Sequence, residues 1–262
     1  RDILNADPRF IRTSRTTWGL STWNTTEYAG IFDEITARID AAGGTTKVDD
    51  LITDLLSTYP DIAENSIRTY LSTPAFITKS GVVRRRTADD PWPPIPPLRT
   101  ARGAFRNGAN ELRLAITVTI DVLRGSGQSI RPTVAAALGV SPGQRRTFTS
   151  QSGALTVTWH LSSPNGSSLG SLRVLAAASG AGLGDTLVLV FGLKTASLDI
   201  VRIPADVNGL PRLNQILGRK VRKPVSALSA SLNCPPADVT AVLRKRGDHD
   251  LADLITDQPQ LL

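Results

Sequence analysis

An α+β, multidomain architecture follows from three features of the chain. Helical hydrophobic periods end in a basic hairpin within the first ninety residues, prolines crowd residues 89–98, and beyond them the apolar period changes to two. The sequence therefore predicts helical units closed by hairpins, then a small β barrel with two helices, then a helical tail. The expected boundaries are 1–26 for the end of one helical unit and 27–88 for a complete one. A Pro-rich linker follows at 89–109, the barrel at 110–204 and the helical C-terminal segment at 205–262.

The helical units come first. Pro8-Arg9-Phe10-Ile11-Arg12-Thr13-Ser14 and Pro74-Ala75-Phe76-Ile77-Thr78-Lys79-Ser80 share Pro, Phe, Ile and Ser at the same offsets, and a short basic segment follows each. In the second copy Ile31, Ile35 and Ile39 recur every four residues along a helix predicted over Tyr28–Ala41, which Gly43-Gly44 ends. Thr46 is positioned to cap a second helix carrying Val48, Leu51, Ile52, Leu55 and Leu56, with Asp49 in its first turn. Tyr59-Pro60 forces a turn. A third helix over Ala63–Ser72 turns Ile67, Tyr70 and Leu71 inward and Asn65, Ser66, Arg68 and Thr69 outward, and residues 76–86 read as a hairpin.

Three helices and a basic hairpin make a winged helix-turn-helix, whose third helix fits a major groove and whose wing grips phosphates. The expected DNA contacts are Asn65, Ser66, Arg68 and Thr69 on the helix and Lys79, Arg84, Arg85 and Arg86 on the wing. Arg12 and Arg15 are their counterparts in the first copy. Winged helices also dock proteins, so both readings stand at this point. Asp7-Pro8-Arg9-Phe10-Ile11-Arg12, Thr17-Trp18-Gly19-Leu20 and Trp23 resemble the end of a HARE-type winged helix, a class also found in the delta subunit of bacterial RNA polymerase. Residues 27–87 are similar to the same class and to the helix-turn-helix of sigma-factor region four. The resemblance implies a first copy that is cut short, with Trp18 and Trp23 packed in a core. A chain without methionine that begins at Arg1 reads as part of something longer.

The stretch Asp89-Asp90-Pro91-Trp92-Pro93-Pro94-Ile95-Pro96-Pro97-Leu98 lacks the backbone donors of a helix or central strand and forms a semi-rigid joint. After it Leu112, Leu114, Ile116, Val118, Ile120 and Val122 alternate as in one long strand. Further strands are expected at 144–149, 155–161, 186–191 and 198–203, and short helices at Pro132–Leu138 and Gly170–Ser179. This order argues for a barrel with helices plugging its ends.

Thr119-Ile120-Asp121-Val122, Gln128-Ser129-Ile130-Arg131-Pro132, Leu138-Gly139, Gly143-Gln144, Gly153, Trp159 and Leu183-Gly184-Asp185-Thr186-Leu187-Val188 resemble, in order, the DNA-binding pseudobarrel of plant transcription factors and of restriction-endonuclease effector domains. The resemblance implies two arms that straddle the major groove, here Arg124–Arg131 and Ser162–Ser168. Their expected contact residues are Arg124, Ser126, Gln128, Ser129 and Arg131 on the first arm, and Ser162, Asn165, Ser167 and Ser168 on the second. Sparse aromatic and basic residues on the second arm point to readout of shape or of a modified group.

The tail opens with Arg219, Lys220, Arg222 and Lys223, followed by helical positions Val225, Leu228, Ala230 and Leu232. A helix from Pro235 to Gly247 and a short one around Leu251, Leu254 and Ile255 complete it. Bulk composition agrees with a polyanion partner: the formal net charge is +7 and the sequence pI about 10.1. No run of about 20 apolar residues reads as a membrane span. The single Cys234 reads as a small apolar packing residue in a reducing compartment. His160 and His249 lack partners at metal-ligand spacing, and no phosphate-cradling Gly-x-x-x-x-Gly-Lys occurs.

The expectation is a cytoplasmic, nucleoid-associated, non-enzymatic reader of double-stranded DNA that recognises a sequence or a modification, with neither metal nor cofactor. An RNA-polymerase-associated adaptor docking through the winged helices is one alternative. The targeting part of a modification-dependent restriction system, working with an effector nuclease, is another.

Overall fold

A computed structural model describes residues 2–257, and the chain divides into two compact units. One comprises residues up to 93 with 161–164, and the other residues 94–160 with those from 165 onward. The fold is α+β.

The first unit opens with α1 (Asp2–Ala6) and a hairpin of β1 (Phe10–Arg12) and β2 (Trp18–Leu20). It continues through α2 (Ile31–Ala41), β3 (Thr45–Lys47), α3 (Val48–Thr58) and α4 (Glu64–Leu71), and ends with β4 (Phe76–Lys79) and β5 (Val82–Arg85). The helices form where the 3.6-residue periods predict them, because Ile35, Ile39, Leu51, Ile52, Leu55, Ile67 and Leu71 meet Tyr28, Phe76 and Val83 in one core. Thr46 is not the cap of α3. It lies in β3, opposite Val83 of the hairpin, so pairing in the three-stranded sheet β3-β5-β4 takes the residue that the capping pattern claimed.

The sequence repeat is real at the level of backbone hydrogen bonds. Phe10 N–H donates to Asp7 O at 3.1 Å as Phe76 N–H does to Thr73 O at 3.2 Å. Ser21 N–H donates to Arg9 O at 2.8 Å as Arg86 N–H does to Ala75 O at 2.8 Å. Trp23 departs from expectation. It is 55% exposed, lying against Gly19 instead of in a core.

The second unit is a curled, mixed sheet of order β6-β7-β12-β13-β9-β10-β11-β8, an open half-barrel. Its elements run β6 (Ala104–Asn107), β7 (Glu111–Thr117), α5 (Ile120–Arg124), β8 (Gly127–Ile130), α6 (Pro132–Ala137), β9 (Arg145–Ser150) and β10 (Gly153–Trp159). After them come β11 (Ser167–Ser171), α7 (Arg173–Ala178), β12 (Thr186–Gly192) and β13 (Ser197–Ile203). Four helices follow: α8 (Gly209–Leu217), α9 (Pro224–Leu232), α10 (Val239–Arg246) and α11 (His249–Asp257).

The long strand expected to Val122 stops at Thr117. Thr119 caps α5 by accepting from Val122 N–H, and Gly125 ends that helix in the left-handed region, so local capping overrides the alternation. The linker is shorter than 89–109 because β6 already pairs with β7. The helix expected from Gly170 begins only at Arg173, since residues 167–171 are a strand paired with β8 and β10.

The half-barrel contains an internal repeat. Residues near 135–144 and 176–185 make the same bonds 41 positions apart: Val140 N–H to Ala135 O and Ala181 N–H to Ala176 O, both at 2.9 Å. Each repeat then crosses to the sheet, Trp159 N–H donating to Gln144 O and Val118 N–H to Asp185 O. One hydrophobic cluster fills the curl, with Phe148 and Phe191 edge to face at 4.8 Å.

The other face of β12 and β13, through Val188, Val190 and Ile203, packs with Phe105 against Leu213, Leu217, Leu228 and Leu243. The C-terminal helices therefore share a core with the sheet. Burial on both faces explains the uninterrupted apolar run of β12.

Candidate nucleic-acid interface

The two segments expected to be separate arms meet along a strand ladder. Ser129 lies opposite Ser168, Ile130 opposite Ser167 and Gln128 opposite Leu169. Only the stretches before β8 and between β10 and β11 remain loops, the second closed by His160 N–H donating to Gly166 O at 3.1 Å.

This corrects one contact residue: Ser167 is fully buried and its hydroxyl donates to Ile130 O at 2.8 Å, so it ties the ladder and does not face solvent. Gln128 is half-buried and donates to Ser126 O. Arg124, Ser126, Ser129, Arg131 and Asn165 are exposed, and Ser162 and Ser168 are half-exposed.

Register then assembles a surface that sequence reading missed. Along β10, Leu155, Val157 and Trp159 face the core, so Thr156 and Thr158 face outward. Thr158 lies directly opposite Arg145 on one side and Ser168 on the other, and Ser168 opposite Ser129. Arg145, Thr158, Ser168 and Ser129 thus form one transverse row on adjacent strands. Three inter-strand steps of about 4.8 Å give the row a length of roughly 14 Å, comparable with a major groove about 12 Å wide. Thr147 and Thr156 form a parallel pair beside it, their hydroxyls 2.9 Å apart.

Cations frame this face. A Cβ on Gly125 would lie 3.4 Å from the Arg173 side chain, so the start of α7 flanks the Arg124 loop. At the far end of β8, Gly166 approaches the ring of Pro132, the residue after Arg131. Arg124, Arg131, Arg145 and Arg173 are exposed and form no ion pair among the described residues. Arg146, by contrast, turns inward, donates to the carbonyls of Leu138 and Leu193 and stacks on Phe148. None of the chain's 23 acidic residues falls between 122 and 184. That acid-free stretch was visible in the sequence and is the signal that could have located Arg145 and Arg173.

The first unit treats its cations differently. Arg84 makes two bonds to Asp90, at 2.6 and 2.5 Å, and this guanidinium holds the Asp90 carboxyl well below the usual carboxylate range. Arg85 pairs with Asp40 at 2.9 Å, and Arg86 donates to the carbonyls of Pro74 and Pro91 and stacks on Trp92. Arg68 pairs with Glu64 at 2.7 Å, and Thr69 donates to Asn65 O. Arg12 donates to Arg15 O and lies 5.2 Å over the Tyr28 ring, bracing the first hairpin. Asn65, Lys79 and Arg15 are exposed and Ser66 is half-buried. Residues 1–93 carry 11 basic and 13 acidic side chains, a net of −2, whereas residues 94–262 carry 19 and 10, a net of +9.

Among the described residues no group of His, Cys, Asp and Glu is arranged to hold a metal, and no helix is long and apolar enough to cross a membrane. Cys234 is half-buried, and burial pushes its thiol pKa up, away from reactivity. Set beside known protein families, curated proteins and solved structures, the chain matches none.

Proposed function

We propose that the half-barrel is a reader of double-stranded DNA, a DNA-binding pseudobarrel in kind, and that it works without a catalytic centre of its own, without metal and without cofactor. The observation that carries this reading is the acid-free stretch 122–184, whose strands present a groove-wide row of hydroxyls framed by unpaired arginines. Arginines supply the sequence-independent phosphate term, and short hydroxyl side chains supply donors and acceptors for base edges. A face with few aromatic residues favours readout of shape or of a small added group. The reading therefore extends to modified DNA and to a role as the targeting part of a restriction or defence system, any cleavage being done by an effector nuclease. The protein would then reside on the nucleoid.

For the first unit, helices α2–α4 and the β4–β5 hairpin support a winged helix-turn-helix. Its net negative charge and internally paired arginines favour docking on a protein, such as RNA polymerase, over gripping phosphates.

The test is binding of the full chain to plain, methylated, hydroxymethylated and phosphorothioate duplexes across a salt series. Steeply salt-dependent binding with a preference for one duplex supports a modification reader, and no binding to any of them at low salt refutes the DNA reading.

A further inference from the structure

A second cationic element sits far along the chain from the half-barrel loops. Residues 207–237 contain no acidic residue. Within them, the loop between α8 and α9 presents Arg219, Lys220, Arg222 and Lys223, all exposed and none in an ion pair among the described residues.

This loop is pinned. Gly218 ends α8 in the left-handed region, and Arg219 N–H donates back to Asn214 O at 3.1 Å. Val221 is buried, its N–H donating to Asn214 Oδ1 at 2.7 Å, and Pro224 is buried at the start of α9. Val221 thus sits in the core shared by the sheet and the C-terminal helices, and the buried Pro224 is a second anchor.

Like charges held this close repel one another; the carbonyl end of α8 and a 3.5 Å bond from Arg219 to Ala227 O offset part of that repulsion, but no carboxylate does. A merely solvated basic run has no need of buried anchors. An anchored one has already lost the backbone freedom that binding would otherwise cost.

We propose that residues 219–223 form a second phosphate-binding element, which takes the sugar-phosphate backbone of duplex DNA without regard to base sequence. The proposal rests on the reading of the half-barrel as a duplex reader and extends its contact surface to the C-terminal helices. Arg219 and Arg222 can each hold a phosphate through two N–H groups, while Lys220 and Lys223 act as point charges.

The test compares the full chain with its R219A/K220A/R222A/K223A variant and with K220E/R222E, both leaving Val221 and Pro224 in place. For the alanine variant, the slope of log affinity against log salt should fall by about 3. The ranking of duplexes should be unchanged, and the thermal midpoint should not fall. The charge reversal should weaken binding further and serves as the second readout if the alanine variant is poorly folded. An unchanged slope in a folded variant overturns the proposal and leaves the half-barrel reading intact. A variant that keeps its duplex affinity but loses binding to phosphatidylserine vesicles overturns it in favour of a lipid surface. A wild-type chain that binds no duplex removes the half-barrel reading and this proposal together.

Discussion

The two units use their arginines, 9 in residues 1–93 and 15 in residues 94–262, for different ends. In the first, Arg38, Arg68, Arg84 and Arg85 each find a carboxylate, and the unit carries a net charge of −2. In the second, Arg202 on β13 and Arg246 on α10 are paired in the same way, with Asp185 and Asp248. Those around the half-barrel loops are not. A cation with an internal partner serves the fold first. Breaking such a pair to contact a phosphate forfeits the contact already made, so basic sequence alone does not identify a binding surface.

Substitutions sharpen this contrast. The largest effect is expected from R124A/R131A/R145A/R173A, which should weaken duplex binding at physiological salt by roughly 10- to 100-fold in a filter or anisotropy titration. The comparable R84A/R85A/R86A change in the first unit should alter duplex affinity by less than about threefold, because these groups already contact Asp90, Asp40 and two carbonyls. It should instead lower the unit's thermal midpoint. Equal losses from the quadruple and the triple variant would dissolve the distinction between the units.

A smaller and qualitatively different effect is expected from the hydroxyl row. S129A/T158A/S168A should change the preference between duplexes by about tenfold, with the salt slope unchanged. Gln128 and Asn165 substitutions should also act on preference, and competition with unlabelled duplexes reads both.

The smallest effects concern acid stability. Asp185 accepts from the N–H groups of Gly182 and Ala205 and pairs with Arg202, and these bonds lower its pKa below the ordinary 3.8. Since the folded value lies below the unfolded one, its contribution is complete above about pH 4 and fades as pH falls through the lowered value. Asp185→Asn should therefore lower the thermal midpoint at neutral pH and flatten its decline in acid. Asp90→Asn should do the same for the first unit, through the loss of Arg84.

Much of this fold was legible, and the failures have physical causes. Helices α2, α3 and α4 were found because their apolar faces repeat every three to four residues and all meet one core. The β4–β5 hairpin was found because its turn chemistry is local, with Ser80 and Gly81 both at positive φ. Thr119 was misread because Val118, Ile120 and Val122 satisfy a strand alternation as well as they satisfy a strand end followed by a capped helix. Strand β11 was missed because its glycine and serines carry little strand propensity. It exists through its neighbours β8 and β10, which are distant in sequence.

The candidate site was legible in its parts and not in its assembly. Loop composition pointed to Arg124, Ser129 and Arg131, but the row that joins Ser129 to Arg145 depends on the register of three strand pairs. On the β4–β5 hairpin, the basic run Arg84–Arg86 drew attention that its carboxylate and carbonyl partners do not support.

The central claim is that phosphate contacts come from the unpaired arginines of the half-barrel and not from the β4–β5 hairpin. The most direct measurement is the salt dependence of duplex affinity for the full chain, for R124A/R131A/R145A/R173A and for R84A/R85A/R86A. The account predicts a slope reduced by about 3 in the first variant and unchanged in the second. A slope that falls for the hairpin variant and holds for the half-barrel variant would contradict it.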